Sequence, residues 1–350
     1  MSATTAGAGA FIAHDEAFRD VTGPRPSLVR VIATDAHEGP VYAADEDALY
    51  FTTVPRPGPA GPRVDIRRLA LDGARFPLGP ERRALDGMGA PLGPERLSTV
   101  RADANAANGM TLGADGRLVV CEQGSRHTRA ALTLVDRASG RAEVLVDGWH
   151  GEPLNSPNDV VGKSNGTVWF TDPSYGHLQG FRPAPRLPDR VYRYDPRDRD
   201  LAVVAEFFDK PNGLAFSPDE RTLYVGDSGA LHAPGDYDPD RPRGITAIDV
   251  ADGRRLAGAL ARDRVGTPRA FGGPVPGFPD GVKVDAAGRA YVACERGVQV
   301  LDPAGALIGE IAVPGGAVNF TFGSPERNVL LITADDAIWA ARLEAFGPQP

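Results

Sequence analysis

The sequence has few cysteines and no histidine pattern typical of zinc proteins. Its two cysteines, Cys121 and Cys294, are far apart in the chain. Two such residues cannot build a disulfide-rich scaffold and do not match a zinc-binding pair, so we predict two reduced, buried thiols. The six histidines show no His-Glu-x-x-His or similar spacing, which argues against a zinc hydrolase of that type.

Positive charge and long apolar runs are also scarce. The chain carries 38 Lys and Arg residues against 46 Asp and Glu residues, a formal net charge of −8, which argues against a nucleic-acid-binding surface. No stretch approaches the roughly 18 apolar residues of a membrane span, and the first residues lack the pattern of a secretory signal. We therefore expect a cytoplasmic protein with a small-molecule substrate and neither a membrane nor a nucleic-acid partner. The sequence does not indicate an oligomeric state.

Glycine (42 residues) and proline (32 residues) are abundant and lie mostly at turn positions between short β-rich runs. A polar residue followed by an apolar run, a turn and a second β-rich run recurs six times. The copies begin at Glu38, Asn108, Asn158, Asn212, Asp280 and Asn319. Repeats of this kind, about 40 to 50 residues long, are typical of propeller blades. The sequence therefore predicts an all-β fold, a six-bladed β-propeller.

The boundaries of the propeller follow from the first and last β-rich runs. Residues 27–33 form a predicted strand that precedes the first copy. We expect it to complete the last blade and close the ring, which removes open sheet edges. Residues 1–26 are predicted to be disordered or loosely attached, and residues 27–345 to form a single domain. The string Pro-Leu-Gly-Pro-Glu-Arg at 77–82 and again at 91–96 is interpreted as a surface loop.

The starts of the six copies have a common chemistry. The first strand of each propeller blade lines the central channel, so these six residues should converge at one mouth. All six carry a carboxylate or an amide oxygen, and oxygen ligands suit Ca²⁺ or Mg²⁺ better than zinc or copper. Turn formation explains one such residue well, but six at equivalent positions favour a central divalent-cation site.

Five segments together resemble the SMP-30/gluconolactonase family of six-bladed propellers. They are 38–42 (Glu-Gly-Pro-Val-Tyr), 156–159 (Ser-Pro-Asn-Asp), 171–176 (Thr-Asp-Pro-Ser-Tyr-Gly), 211–214 (Pro-Asn-Gly-Leu) and 279–282 (Pro-Asp-Gly-Val). The resemblance covers about residues 27 to 340. It implies an enzyme that hydrolyses lactones and one divalent cation, usually Ca²⁺, with Mg²⁺, Mn²⁺ or Zn²⁺ as other candidates. The ligands that it implies are Glu38, Asn158, Asn212 and Asp280.

The expected reaction is metal-assisted opening of the lactone ring. The cation would polarise the ring carbonyl while Asp280 or Asp159 activates or orients the attacking water. Since a carboxylate bound to a dication has a low pKa and is a weak base, the choice between the two stays open.

The candidates for substrate binding lie beside the implied metal ligands. They are Asn108, Ser156, Asp159, Tyr175 and His177. Some family members have an Arg at the position of Ser156 that contacts a sugar lactone, so the resemblance does not fix a sugar as the substrate. Two alternatives to a lactonase are a tailoring enzyme of secondary metabolism that acts on a non-sugar lactone or another ring, and a binding or sensor module with a structural metal.

Overall fold

The computed structural model describes residues 5–6, 8–72, 74, 91–251 and 264–348. Their strands form six antiparallel sheets of four or five strands, named blades 1 to 6 in chain order. The first strand of each blade contacts the first strand of the next, and that of blade 6 contacts that of blade 1. The sheets therefore form a closed ring, and the prediction of an all-β six-bladed propeller is confirmed.

In blades 1 to 4 the strands follow one another from the channel outward. Blade 1 consists of Ala36–Ala43, Ala48–Thr53, Ile66–Ala70 and Leu97–Arg101. Blade 2 consists of Ala107–Leu112, Leu118–Glu122, Ala131–Val135 and Ala142–Val146. Blade 3 consists of Val160–Gly162, Val168–Asp172, Arg190–Asp195 and Asp200–Ala205. Blade 4 consists of Pro211–Phe216, Thr222–Asp227, Gly244–Ala251 and Arg264–Phe271.

The last two blades also take strands from the beginning of the chain. Blade 5 consists of Val282–Val284, Ala290–Cys294, Gly297–Leu301, Leu307–Ala312 and Phe11–Ala13. Blade 6 consists of Asn319–Gly323, Val329–Thr333, Ala337–Arg342, Leu28–Ala33 and Thr5–Ala6.

A few short elements connect the blades. A small hairpin pairs Gly148–Trp149 with Glu152–Pro153. The helical segments are Ala8–Ala10 and Pro94–Arg96, which are 3₁₀ turns, and Phe18–Thr22 and Tyr175–Leu178, which are α-helical. None of the helices in the described ranges is long and apolar enough to cross a bilayer.

Hydrophobic packing between neighbouring blades accounts for the core. In blade 6, Leu330 and Ile332 pack toward blade 5, whereas Val329 and Leu331 pack toward blade 1. Because successive side chains of a strand point to opposite faces, one apolar strand supplies two interfaces. The buried residues accordingly form six clusters, one at each junction of adjacent blades, including the junction of blades 6 and 1.

The segment before the propeller is packed more closely than the sequence predicted. Phe11–Ala13 pairs with Leu307–Ala312 at the outer edge of blade 5. In the helix that follows, Phe18 is 1% exposed and Val21 is 0% exposed, and both lie in the core between blades 5 and 6. The prediction that residues 1–26 are disordered or loosely attached is therefore wrong for residues 11–22, because their apolar side chains fill an interface between blades.

The strand predicted over residues 27–33 lies in the last blade. Leu28–Ala33 pairs antiparallel with Ala337–Arg342 in blade 6.

The cysteines and the duplicated loop were also described from the sequence. Cys121 and Cys294 are both unbonded and buried, as expected. The first copy of the duplicated string, at 77–82, lies outside the described residues. The second copy ends in the 3₁₀ turn that leads into the last strand of blade 1.

Candidate functional site

Five oxygen-bearing residues occupy the same place at the start of five consecutive blades. The N–H of Asn158 donates to the carbonyl of Thr171 in the same blade at 2.9 Å, and that of Asp280 donates to the carbonyl of Ala293 at 2.9 Å. In blade 6 the residue with this bond is Val318. These positions form what we call the mouth layer. Its members are Glu38, Asn108, Asn158, Asn212, Asp280 and Val318.

The residues that come one position after the mouth-layer residues form a second layer. At four of its positions only a residue without a side chain fits. Its members are Gly39, Gly109, Asp159, Gly213, Gly281 and Asn319. A Cβ atom on Gly109 would lie 2.5 Å from the carbonyl oxygen of Asn158 in the next blade, and one on Gly213 would collide with that of Asp280. The glycines therefore allow neighbouring first strands to approach closely, which brings the mouth-layer side chains together.

Asn319 belongs to the second layer, so its predicted place at the sixth mouth position is wrong by one residue. Its N–H donates to the hydroxyl of Thr333 at 3.2 Å, just as the N–H of Asp159 donates to the hydroxyl of Thr171 at 3.0 Å. The second layer thus contains two polar side chains, Asp159 in blade 3 and Asn319 in blade 6, among four glycines.

Two carboxyl groups meet at the mouth. Glu38 is 3% exposed, and its Oε2 accepts hydrogen bonds from the N–H of Gly39 at 2.9 Å and from Nδ2 of Asn319 at 2.8 Å. The carboxyl group of Asp280 lies close enough to the side chains of Glu38 and Asn212 for both to affect its pKa. Blades 1 and 5 therefore place two acids side by side.

The pKa values of these acids are raised. Burial raises the pKa of Glu38 well above its usual range, and the charges of Asp280 and Asp159 raise it further. Burial also raises the pKa of Asp280 to about 7, although hydrogen bonds with Glu38 and Asn212 oppose the shift. Two buried carboxylates this close are stable together only if a proton or a cation offsets their repulsion.

The amide oxygens of the mouth layer are the second feature that fits a cation. Oδ1 of Asn108, of Asn158 and of Asn212 is buried and has no hydrogen-bond partner among the described residues. Buried oxygens of native proteins nearly always have a partner. Unpartnered amide oxygens beside two carboxylates are the donor set that Ca²⁺ or Mg²⁺ prefers. Within the described ranges no three His, Cys, Asp or Glu side chains form a metal cluster by themselves, so the set depends on the amides.

Asp159 faces the channel from blade 3. It is 1% exposed, and its Oδ1 accepts a hydrogen bond from the N–H of Val160 at 2.8 Å. Its Oδ2 has no hydrogen bond in the described part of the chain, but Nζ of Lys283 lies 3.6 Å away. Lys283 was not among the residues predicted from the sequence. The alternation of side chains along a strand gives a signal that could have found it, because Lys283 follows Gly281 by two residues and points to the same face.

The predicted substrate-binding residues Tyr175, Ser156 and His177 differ in their exposure and in their hydrogen bonds. Tyr175 is buried, its hydroxyl lies near Ser228, and its pKa is raised by burial and by the charge of Asp280. Ser156 is 0% exposed, and its hydroxyl accepts a hydrogen bond from the N–H of Gly176 at 2.9 Å. His177 is exposed and lines a small pocket with Ser156. Contact with substrate stays a prediction for each of them, and for Asn108 and Asp159.

Two buried aspartates hold the loops that precede Asn158 and Asn212. Asp172 accepts hydrogen bonds from the N–H groups of Asn155 at 2.9 Å and Ser156 at 2.7 Å. Asp227 does the same for the N–H groups of Asp209 at 3.0 Å and Lys210 at 2.8 Å in the next blade. The same pair of hydrogen bonds to an aspartate therefore fixes the backbone just before Asn158 and just before Asn212.

Arg182 joins three loops at the mouth and was not singled out from the sequence. Its guanidinium donates to the carbonyl oxygens of Ser125 at 3.2 Å and Thr128 at 2.9 Å. It also donates to the carbonyl oxygens of Leu154 at 3.0 Å and Asn155 at 3.2 Å. The loop that carries Tyr175 and Arg182 is thereby tied to blades 2 and 3.

Comparisons with known proteins agree with this architecture. The family model described as the SMP-30/Gluconolactonase/LRE-like region matches residues 36–336. A gluconolactonase from Zymomonas mobilis is 31% identical over 245 residues, which are 69% of this chain and 64% of that protein, so the match spans less than two thirds of this relative. A lactonohydrolase from Aspergillus oryzae is 26% identical in an alignment of 337 residues that covers 91% of this chain and 70% of that protein.

A solved structure extends the likeness to nearly the whole chain. It is that of a gluconolactonase from Xanthomonas campestris, with a TM-score of 0.75 and 29% sequence identity, covering 98% of each chain. The matched family region contains both residue layers and strands of all six blades. The chain is thus a member of the SMP-30/gluconolactonase family.

Proposed function

We propose that this protein is a metal-dependent hydrolase that opens the ring of a lactone. The observation that carries the proposal is the meeting of Glu38 and Asp280 beside the unpartnered amide oxygens of Asn158 and Asn212. The names of the similar proteins, gluconolactonase and lactonohydrolase, support lactones as the substrate class.

Glu38, Asn158, Asn212 and Asp280 are the residues that would hold the cation. Their four hard oxygen donors, two of them charged, favour Ca²⁺, with Mg²⁺, Mn²⁺ and Zn²⁺ as alternatives that metal add-back distinguishes. When bound, such a cation acts as a Lewis acid on a carbonyl oxygen. The fourth amide of the mouth layer, Asn108, keeps an unpartnered Oδ1 that could accept a hydrogen bond from a substrate hydroxyl.

Asp159 and Asp280 are the two candidates for activating or orienting the water. Asp280 belongs to the ligand set, and a carboxylate bound to a dication is a weak base. Asp159 stands outside that set, and its Oδ2 has no hydrogen-bond partner in the described ranges. These features support Asp159 as the group that takes a proton from water and Asp280 as the group that orients the water.

The groups around the mouth are suited to an uncharged, polar substrate. The charge of Asp280 acts on the buried hydroxyl of Tyr175, which can donate a hydrogen bond to a ring or carbonyl oxygen of a substrate. Ser156 and His177 line the adjoining pocket. The hydroxyl of Ser156 already accepts a hydrogen bond from the N–H of Gly176, so one donor and one acceptor position of this hydroxyl remain for a substrate.

The test is hydrolysis of a panel of sugar and aliphatic lactones by chelator-stripped protein, with Ca²⁺, Mg²⁺, Mn²⁺ or Zn²⁺ added back. We expect turnover only with added cation. Asp280→Asn, which keeps the shape but removes a charge, should lower kcat/KM by about a hundredfold or more. Asp249→Asn, on the outer part of blade 4 with its side chain 66% exposed, is the matched control and should stay at the wild-type rate.

Two outcomes would contradict the proposal. Cation binding without turnover of any lactone would favour the tailoring-enzyme or binding-module alternatives. Full activity after complete removal of the metal would contradict the role of the cation and return the mouth-layer asparagines to a purely structural role.

A further inference from the structure

Lys283 is a cationic side chain inside the channel that the proposed reaction does not use. It extends from the first strand of blade 5, and its Nζ lies 3.6 Å from Oδ2 of Asp159 in blade 3. The same Nζ lies 3.4 Å from Oδ1 of Asn319 in blade 6. The ammonium group is therefore held between two blades other than its own, at the two polar positions of the second layer.

Both neighbours of Lys283 connect it to the mouth layer. Asn319 donates from Nδ2 to Glu38 while its Oδ1 faces the ammonium group. The charge of Asp159 raises the pKa of both Glu38 and Asp280, so these three acids share one electrostatic site. Lys283 thus belongs to the same site as the proposed metal ligands, one layer further along the channel.

The charges of this site balance for a divalent cation once His37 and Asp335, which also act on Glu38 and Asp280, are counted as an ion pair with each other at 2.7 Å. Three carboxylates, Glu38, Asp159 and Asp280, carry three negative charges when ionised. A bound dication offsets two of them, and Lys283 offsets the third. Without the lysine, the three negative charges would be balanced by a trivalent ion and not by a divalent one. The difference matters because an unbalanced charge in a poorly solvated site acts strongly on the bound ion.

We propose that Lys283 is the fixed third positive charge of the channel and that it sets the centre to bind a divalent rather than a trivalent cation. This inference rests on the proposed function, since it requires a cation at Glu38, Asn158, Asn212 and Asp280. It makes Lys283 a residue that determines ion selectivity, acting through Asp159 and Asn319 without touching the substrate.

The experiment measures binding of Ca²⁺ and of Tb³⁺ to metal-free protein, by calorimetry and terbium luminescence, at one fixed pH and ionic strength. In Lys283→Met, the ratio of the Tb³⁺ to the Ca²⁺ association constant should rise by about tenfold or more over the wild type, since a full charge a few ångströms away is removed. Lys283→Arg keeps the charge and should keep the wild-type ratio.

A second neutral variant and a distant lysine complete the design. Lys283→Gln should shift the ratio in the same direction as Lys283→Met, so the test does not depend on the folding of one variant. Lys163→Met makes the same change of net charge in blade 3, where Lys163 lies 3.9 Å from Glu220, and should leave the ratio unchanged.

The outcomes separate this inference from the proposed function. If the wild type binds Ca²⁺ and hydrolyses a lactone but neither neutral variant changes the ratio, the role of Lys283 is refuted and the proposed function stands. If the wild type binds neither ion, the metal centre itself is refuted, and the inference falls with it.

Discussion

At the scale of single residues, the chemistry of the channel depends on acids that are costly to ionise. Glu38 and Asp280 affect each other's pKa, and burial is the largest cause of the raised pKa of both. In the absence of a cation, burial and mutual repulsion favour protonation of these carboxyl groups. In the proposed metal centre, a dication would remove this cost, so we expect cation binding and protonation to compete at the same two side chains.

This competition predicts that stabilisation by Ca²⁺ depends on pH. The pKa of Asp280 in the folded protein is about 7, above its ordinary value near 4. Between these values the metal-free folded state binds more protons than the unfolded chain, so the contribution of Asp280 to stability is present below about pH 4 and is lost as the pH rises through about 7. A cation relieves this loss, and the increase in Tm on adding Ca²⁺ should therefore grow from about pH 5 to pH 8.

The measurement is thermal unfolding with Ca²⁺ and with chelator across this pH range at constant ionic strength. Asp280→Asn serves as the control and should abolish most of the pH-dependent part of the increase. An increase in Tm that is equally large at pH 5 and pH 8 would show that Asp280 does not exchange a proton for the cation.

At the scale of structural elements, the loops at the mouth are held by side chains that reach several backbones at once. From its own loop, Arg182 donates hydrogen bonds to four carbonyl groups in two other loops. The helix Tyr175–Leu178 lies in the same loop as Arg182. The position of Tyr175 therefore depends on this anchoring.

Replacing Arg182 by Ala should therefore loosen the whole mouth. We expect the free energy of unfolding to fall by about 2–4 kcal/mol, because four carbonyl groups lose a charged donor and three of these hydrogen bonds are partly buried. Hydrogen exchange should quicken in residues 125–128, 154–156 and 175–182. Arg186→Ala is the matched control, since the Arg186 side chain is 72% exposed in the same loop and should change stability by less than about 0.5 kcal/mol. Equal effects of the two variants would contradict the anchoring role of Arg182.

Sequence reasoning was most reliable for elements whose signals are local. Asn158, Asn212 and Asp280 each stand at the start of a repeated β phrase, and the structure places each at the same position in its blade. The error in blade 6 has a definite cause: Asn319 has the chemistry of a mouth residue, but its hydrogen bond to Thr333 places it one residue further along. Register of this kind depends on pairing with a neighbouring strand, which the chemistry of one residue does not reveal.

At the scale of the whole molecule, stability comes from six interfaces between blades arranged in a ring. The interface between blades 5 and 6 contains Phe18, contributed by the segment before the propeller. The aromatic ring of Phe18 packs directly on Gly309, where a Cβ atom would collide with it. The beginning of the chain thus fills a junction near the end of the chain.

Phe18→Ala should consequently destabilise the protein as a whole. Removing a ring that is 1% exposed from a closed interface should lower the free energy of unfolding by about 3 kcal/mol or more. Phe346→Ala is the control, because Phe346 is 50% exposed, and it should have an effect of about 1 kcal/mol or less. Denaturant unfolding of both variants measures the difference, and a loss no larger for Phe18→Ala than for Phe346→Ala would show that the segment contributes little to the ring.

Signals within the sequence were enough to establish the repeated strands, the all-β class, the number of blades and five of the six predicted oxygen-bearing residues at the channel mouth. These follow from local propensities, side-chain alternation and a repeated phrase, all of which are readable within a few residues. The reach of Lys283 to Asp159 across the channel and the place of Phe18 between blades 5 and 6 emerged only from the folded chain. Each of these contacts joins residues that are distant in the chain. It exists because closure of the ring brings together strands, and the sequence of one strand does not identify the strands that it will contact.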